Sequence, residues 1–327
     1  MKTISILIPT YNEENNVLPL YDALQEQLAA LKERYNYEIL FIDNKSQDST
    51  REKIKLLCAR DRHVKAIFNS RNFGAEKSGF YGAMQTTGDC TIGMHADFQT
   101  PPELLPRMIA AWEQGNKIVF AAKDAGSEAS AAHFLRKLYY KSLRKLSNNE
   151  VVDHFTGFAL YDRSVLEEGR KWDDAEPMIR TMASEVGFDR CIIPYTQQER
   201  RSGTGSGNFF SAYDLAMSGI VNYTKAGSRL ATLFGALVSA ASAVSALVWL
   251  ILKLINWEKY PAGLALLAMG VFFFGGVQLM FLGLLGEYVI NIQRRTMKRP
   301  LVVEECRLNF EDDAEEYQKA HPKARMR

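Results

Sequence analysis

Two long stretches of this chain carry no charged side chain: Ala231–Leu252, 22 residues, and Pro261–Gly286, 26 residues. A helix rises about 1.5 Å per residue, so each stretch would exceed the ~30 Å hydrocarbon core of a bilayer. The bland alternative is a pair of buried helices in one large domain, but adjacent charge-free runs of this length rarely occur in such cores. Only Lys253–Tyr260 separates them. The sequence therefore predicts a membrane hairpin attached to a larger water-facing part.

The flanks give the hairpin an orientation. Lys225 and Arg229 precede it, and Arg294, Arg295, Lys298 and Arg299 follow it. Excess Lys and Arg mark the cytoplasmic side, so both flanks and both termini are expected there, in an inner or plasma membrane. Trp257 and Tyr260 would sit at the opposite interface. Small residues (Gly235, Ser239, Ser242, Gly275, Gly276) permit close helix packing within the hairpin or between subunits, and a homo-oligomer is expected. Phe209, Tyr213, Met217 and Ile220 recur at helical spacing just ahead of the spans, as in a helix lying in the interface. The expected divisions are a sheet domain over 1–207, an interfacial helix over 208–230, two spans over 231–289 and a cytoplasmic tail over 290–327, charged and mobile after Arg299.

The first two hundred residues alternate strand and helix patterns. Strands are predicted at Ile4–Ile8, Tyr37–Ile42, Val64–Phe68, Cys90–Met94 and Lys117–Ala122. Helices are predicted over Glu14–Leu31, where Val17, Leu20, Leu24 and Leu28 share a face, and over Ala75–Thr86. Ser49 or Asp48 would cap a further helix. Apolar strands alternating with helices indicate a mostly parallel sheet covered on both faces. Polar segments follow four of the strands: Pro9–Glu13, Asp43 onward, Arg71–Gly74 and His95–Gln99. All four can line one sheet edge, where open α/β sheets bind ligands. Neither G-x-G-x-x-G nor G-x-x-x-x-G-K-[ST] occurs, which removes the main support for dinucleotide-binding and P-loop readings.

Composition narrows the classes further. A formal charge of +2 over 327 residues argues against a nucleic-acid binder driven by bulk charge. The cysteines at 58, 90, 191 and 306 form no C-x-x-C pair, which suits neither a zinc site nor a disulfide framework. The apolar run at the amino terminus is short and closed by Pro9, so it reads as a buried strand rather than a signal segment.

Three segments carry candidate chemistry. In His95-Ala96-Asp97-Phe98-Gln99, alternation along an extended segment would point His95, Asp97 and Gln99 the same way. A hard divalent cation holding a diphosphate is the natural client of such a group. A single solvated Asp on a capped strand end is the plain alternative. Arg136, Lys137, Tyr139, Tyr140, Lys141, Arg144 and Lys145 lie on one predicted helix. It reads either as a solvated face or as a cationic surface near phosphates or headgroups. Glu199–Asn208, with Arg200 and Arg201 ahead of three glycines, reads as a linker or as a loop that closes on a phosphate.

These segments together resemble a known family. Pro9-Thr10-Tyr11-Asn12-Glu13-Glu14, Ile42-Asp43 with Ser46-x-Asp48-x-Thr50, Arg71-Asn72-Phe73-Gly74 and Ala96-Asp97-Phe98-Gln99-x-Pro101-Pro102-Glu103 look like family 2 glycosyltransferases of the GT-A fold. Thr156-Gly157-Phe158, Asn208-Phe209-Phe210 with Tyr213-Asp214, the hairpin and Gly286-Glu287-Tyr288 narrow the resemblance to polyprenyl-phosphate glycosyltransferases. It runs from about Ile4 to about Pro300. The fold class it implies is α/β, a Rossmann-like GT-A sheet domain with the interfacial helix and transmembrane hairpin.

The resemblance implies inverting transfer of a sugar from a UDP- or GDP-linked donor to a polyprenyl (undecaprenyl) phosphate at the cytoplasmic face. Pro9, Tyr11, Glu13, Asp43 and Asn72 would hold the nucleotide. Asp97 and Gln99, with His95, would bind Mg²⁺ or Mn²⁺, and Asp97 and Arg200 would serve the transfer itself. Arg136, Lys137 and Arg201 would receive the acceptor phosphate. That phosphate is largely ionised near neutral pH, so cations matter to it more than a general base does.

Three positions depart from the family pattern. His95 replaces the first Asp of Asp-x-Asp-x-Gln, Asn44 stands where a second Asp is frequent, and Gly205-Ser206 lack the usual Lys. An imidazole suits Mn²⁺ better than Mg²⁺. The competing expectation is a degenerate GT-A-like scaffold that binds nucleotide and partners another membrane transferase.

Overall fold

The computed structural model describes residues 1–123, 155–172, 177–196, 264–297 and 299–310, with isolated positions at 244, 248, 251, 254 and 255. The chain divides into two compact units. The first holds 1–133, 151–205 and 298–327; the second holds 134–150 and 206–297.

The first unit is built on strand β1, Lys2–Thr10, whose alternate residues face opposite sides. Ile4, Ile6 and Ile8 join one buried cluster with Val17, Leu20, Leu24 and Leu28 of helix α1 (Val17–Ala29). These are the four positions whose spacing predicts the helix. Full burial of a side chain of this size stabilises the fold by roughly 1.5–3 kcal/mol. Leu7 faces the other way, into a second cluster with Phe80 and Ala83. The sheet is therefore covered on both faces, as its apolar strands require.

Strand β2 (Tyr35–Asp43) and strand β3 (Val64–Asn69), with helix α2 (Thr50–Arg60) between them, extend the sheet to one side of β1. Helix α3 (Ala75–Gln85) leads to strand β4 (Cys90–Gly93), which pairs parallel on the other side. Gly82 is the contact that lets α3 lie close to β1, since a Cβ there would come within 2.6 Å of the Leu7 side chain. Helix α4 (Leu105–Glu113) and strand β5 (Ile118–Lys123) follow. Strand β6 (Phe155–Asp162), helices α5 (Arg163–Arg170) and α6 (Ile179–Glu185) and strand β7 (Arg190–Tyr195) complete that side. With an eighth strand, β8, at Glu304–Leu308, the order is β7-β5-β6-β4-β1-β2-β3-β8. Only β6 and β8 run antiparallel to their neighbours, so the expected mostly parallel sheet holds.

Strand β8, Glu304–Leu308, corrects one expectation. Part of the segment anticipated as a mobile tail is an edge strand paired antiparallel with β3. The Asn309 amide, at φ 65, then donates to the carbonyls of Cys58 and Val64 at 2.7 and 2.8 Å, closing the end of α2.

In the second unit, helix α7 spans Leu264–Thr296. Among the described residues no helix is long and apolar enough to cross a membrane. The expected transmembrane hairpin is thus not established by the structure. Most of the first apolar run and the whole interfacial segment lie outside the described residues, as do many side chains of α7.

Candidate active site

The carboxyl ends of β1, β2, β3 and β4 release four loops along one edge of the sheet. Each turns through a left-handed residue: Asn12 at φ 55, Lys45 at φ 64, Gly74 at φ 90 and Phe98 at φ 63. Left-handed backbone is uncommon for residues other than Gly, and rarest for a bulky ring such as Phe98. Strain of this kind, repeated on adjoining loops, is a mark of a functional edge.

The first two loops are stitched together. The Asn12 amide donates to Ser46 Oγ at 2.9 Å, and the Gln47 amide donates back to Asn12 Oδ1 at 2.8 Å. Glu13 N–H donates to Thr50 Oγ1 at 2.8 Å, and Glu14 N–H to Asp48 Oδ2 at 3.2 Å. Asp48 also accepts the Thr50 amide at 3.0 Å, so it holds the start of α2 through a neighbour rather than as the residue at the cap. Ser46, Asp48 and Thr50, spaced by two, thus serve as the fastening of one loop to the other.

The expected nucleotide-binding residues separate into two kinds. Tyr11 is 43% exposed, presenting its ring from the first loop. Pro9 is half-buried under α3, where a Cβ on Gly79 would lie 3.7 Å from it. Glu13 holds the turn that enters α1: its carbonyl takes the amides of Asn16 and Val17, and its carboxylate takes the Asn16 side chain at 2.6 Å. Asp43 is fully buried and accepts the Ser46 hydroxyl and, at 3.1 Å, the Ser46 amide. Burial pushes its carboxyl above the ordinary range, against the pull of the Ser46 bonds and Arg51. Asn72 is exposed and accepts the Gly74 amide at 2.8 Å, while Arg71 lies over the Phe73 ring at 4.0 Å. Pro9, Glu13 and Asp43 therefore shape the edge, whereas Tyr11 and Asn72 face outward from it.

Beneath the third loop lies a buried polar cluster that sequence reasoning missed. Asn44 Oδ1 accepts from Ser78 at 2.5 Å and from Asn69 at 3.0 Å. Asn44 thus acts as an interior bracket between β2, β3 and α3, a role that an ionised Asp at that buried position would fill only at a desolvation cost.

The loop after β4 differs from the extended segment expected. The strand ends at Gly93, and the left-handed Phe98 packs into the core, so His95, Asp97 and Gln99 do not simply alternate. Thr100 Oγ1 takes the His95 amide at 3.0 Å, and Asp97 Oδ1 takes the Gln99 amide at 3.1 Å. Asp97 is buried and His95 half-buried. The His95 ring lies beside Gly157 of β6, a residue at φ 104, which brings the Thr156-Gly157 pair to the same site.

For a divalent cation, this loop offers a carboxylate, an imidazole and an amide oxygen. Among the described residues, no three His, Cys, Asp or Glu side chains converge as a ready metal cage. Two such donors with mixed N and O character still fit a cation whose remaining oxygens come from a diphosphate. Arg136, Lys137, Arg200 and Arg201 lie outside the described residues.

Comparison with known proteins finds relatives of this chain. The family model for Glycosyl transferase family 2 matches residues 5–170. The CsbB protein of Bacillus subtilis (strain 168) is 32% identical over 91% of this chain and 89% of its own. A bactoprenol glucosyl transferase of Shigella phage SfX is 30% identical over 91% of this chain and 97% of its own. A solved mannosyltransferase from Pyrobaculum calidifontis, in complex with GDP-Man and Mn²⁺, is more distant. It is 15% identical with a TM-score of 0.47, covering 90% of this chain and 87% of its own. With half its length matched by the family model, and relatives of 30% identity and more spanning nine-tenths of it, the chain belongs to glycosyl transferase family 2.

Proposed function

We propose that this family 2 glycosyltransferase moves one sugar, with inversion, from a UDP- or GDP-linked donor to a polyprenyl phosphate at the cytoplasmic face of a membrane. The observation that carries the reading is the near full-length match to relatives named bactoprenol glucosyl transferase. The four strained loops on one sheet edge support it.

In this reading the exposed ring of Tyr11 meets the base, while Asp43 and Ser46 hold the adjoining loop in shape. Asp97, His95 and Gln99 hold Mn²⁺ or Mg²⁺. That cation, when bound, supplies charge neutralisation for the departing diphosphate. A phosphate oxygen of the acceptor forms the new bond to the anomeric carbon as the bond to the nucleoside diphosphate breaks. The acceptor has lost most of its second proton near pH 7, so no general base is required. Arg200, the Arg of an R-x-x-G pattern, would contact the diphosphate, and the basic side chains of Arg136, Lys137 and Arg201 would position the acceptor phosphate.

Membrane attachment is part of this reading, and the whole sequence of α7 supports it more than its described side chains alone. Leu264 to Gly286 carries no charge, and Leu267, Val271, Phe274, Leu282, Leu285 and Val289 are exposed at helical spacing. Val244, Val248 and Ile251 show the same exposure in the first run. Water is a poor partner for such a face and lipid a good one. In this reading 208–230 lies in the interface, 231–289 crosses twice, and the protein is a homo-oligomer.

The test is a panel of radiolabelled UDP- and GDP-sugars offered to the purified protein with undecaprenyl phosphate. A chloroform-soluble product whose anomeric configuration is opposite to the donor's is expected. Retention of configuration, or a water-soluble product alone, would refute the proposal.

A further inference from the structure

The chain leaves α7 at Thr296 and rejoins the sheet as β8 at Glu304. From this strand one side chain reaches the loop at the carboxyl end of β2. Glu305 Oε2 lies 2.6 Å from Lys45 Nζ and 3.0 Å from Arg51 Nη2. Lys45 is the left-handed residue of that loop. Arg51, in the first turn of α2, has Nε 3.4 Å from Asp43 Oδ2, a charge contact without hydrogen-bond geometry. Its guanidinium also lies 4.9 Å from the centre of the Phe68 ring. Beside these contacts, the Val303 carbonyl accepts the Ser70 amide at 2.9 Å, at the head of the loop after β3.

The Arg51 guanidinium is thus contacted from three sides, by Glu305, Asp43 and the Phe68 ring. The Arg51 side chain is only 14% exposed, enclosed by a ring and two carboxylates, and one of those carboxylates, Asp43, is fully buried. Glu305 is the one of the two that comes from a distant part of the sequence. Both cations it binds belong to the segment that also carries Asp43 and Ser46.

We propose that Glu305 is a positioning residue for nucleotide binding, acting through Arg51 and Lys45 to hold the β2–α2 loop in the shape that receives the nucleoside. The inference rests on the donor-site reading above. It makes donor affinity depend on the strand that follows the long apolar helix, and leaves the chemical step alone. The plainer view is a surface ion pair that only secures an edge strand. Such pairs contribute little to stability and would leave affinity unchanged.

Full-length protein in detergent separates the two. UDP and GDP binding with Mn²⁺ is measured by calorimetry, beside donor saturation kinetics and thermal unfolding, for wild type, Glu305→Gln, Glu305→Asp and Asn309→Ala. Glu305→Gln is expected to raise Kd and donor KM about three- to tenfold, with kcat and acceptor KM within about twofold. Glu305→Asp recovers most of that loss. Asn309→Ala, which cuts the bonds to the end of α2, lowers Tm and leaves Kd unmoved. Wild-type Kd and KM in Glu305→Gln, tighter binding, or loss of kcat and Tm without loss of affinity would each overturn the inference. Wild type that binds neither nucleotide would instead refute the donor-site reading, and this inference with it.

Discussion

The His95 imidazole lies against the backbone of Gly157, so that a Cβ added to Gly157 would sit 3.3 Å from Nε2. Gly157 is also at φ 104, where any side chain is strained. One glycine therefore answers two demands, close approach and backbone conformation. Gly157→Ala is expected to cost about 1–3 kcal/mol of stability and to displace His95. The check is thermal unfolding together with Mn²⁺-dependent transfer, which should fall at least about tenfold.

Replacing His95 by Asp tests metal choice. A second carboxylate favours harder cations. His95→Asp should raise the activity with Mg²⁺ relative to Mn²⁺, measured as the ratio of donor kcat/KM with each metal. An unchanged ratio would remove His95 from the metal's surroundings.

Tyr11 is predicted to act through its ring. Tyr11→Ala should raise donor KM about five- to twentyfold, while Tyr11→Phe stays within about twofold, because base stacking on an aromatic face is worth ~1–3 kcal/mol. Equal losses in both variants would assign the effect to the hydroxyl instead.

Asp162 bears on stability rather than chemistry. It caps α5 and accepts Trp112 Nε1 at 2.7 Å and Lys117 Nζ at 3.0 Å. Burial alone would raise its pKa, but the Ser164, Trp112 and Lys117 bonds outweigh it and bring the carboxyl down to about 2. A carboxylate lowered in this way stabilises the fold above its unfolded value near 3.9, and that contribution is lost as pH falls towards 2. Asp162→Asn should therefore lower Tm at pH 7 and flatten its fall between about pH 4 and 2. Parallel curves for the two proteins would contradict this.

Much of the sheet was legible because its signals are local. Val17, Leu20, Leu24 and Leu28 are spaced as one helix face, and the same four are buried. The five predicted strands are all present, each within about two residues, since runs such as Ile4–Ile8 must be buried on both sides. What could not be read depends on distant partners. Glu304-Glu305-Cys306-Arg307-Leu308 looks like solvated tail, and becomes a strand only because β3 offers an open edge and Lys45, Arg51, Tyr81 and Gln85 offer partners. The left-handed Phe98 has no local signature either. Its ring is held by the core, and the core overrides the backbone's preference. Asp43 and Glu13, which the resemblance assigns to the nucleotide, also carry bonds that shape their own loops, a second role that residue type alone does not reveal.

The most direct test is release of nucleoside diphosphate, followed continuously with the full-length protein, donor, undecaprenyl phosphate and Mn²⁺. Release should need the acceptor and the metal together, and should fall at least about a hundredfold in Asp97→Asn, as expected when a charged group at the reacting centre is removed. Release at the same rate without acceptor, or undiminished in Asp97→Asn, would contradict a transferase working from this sheet edge.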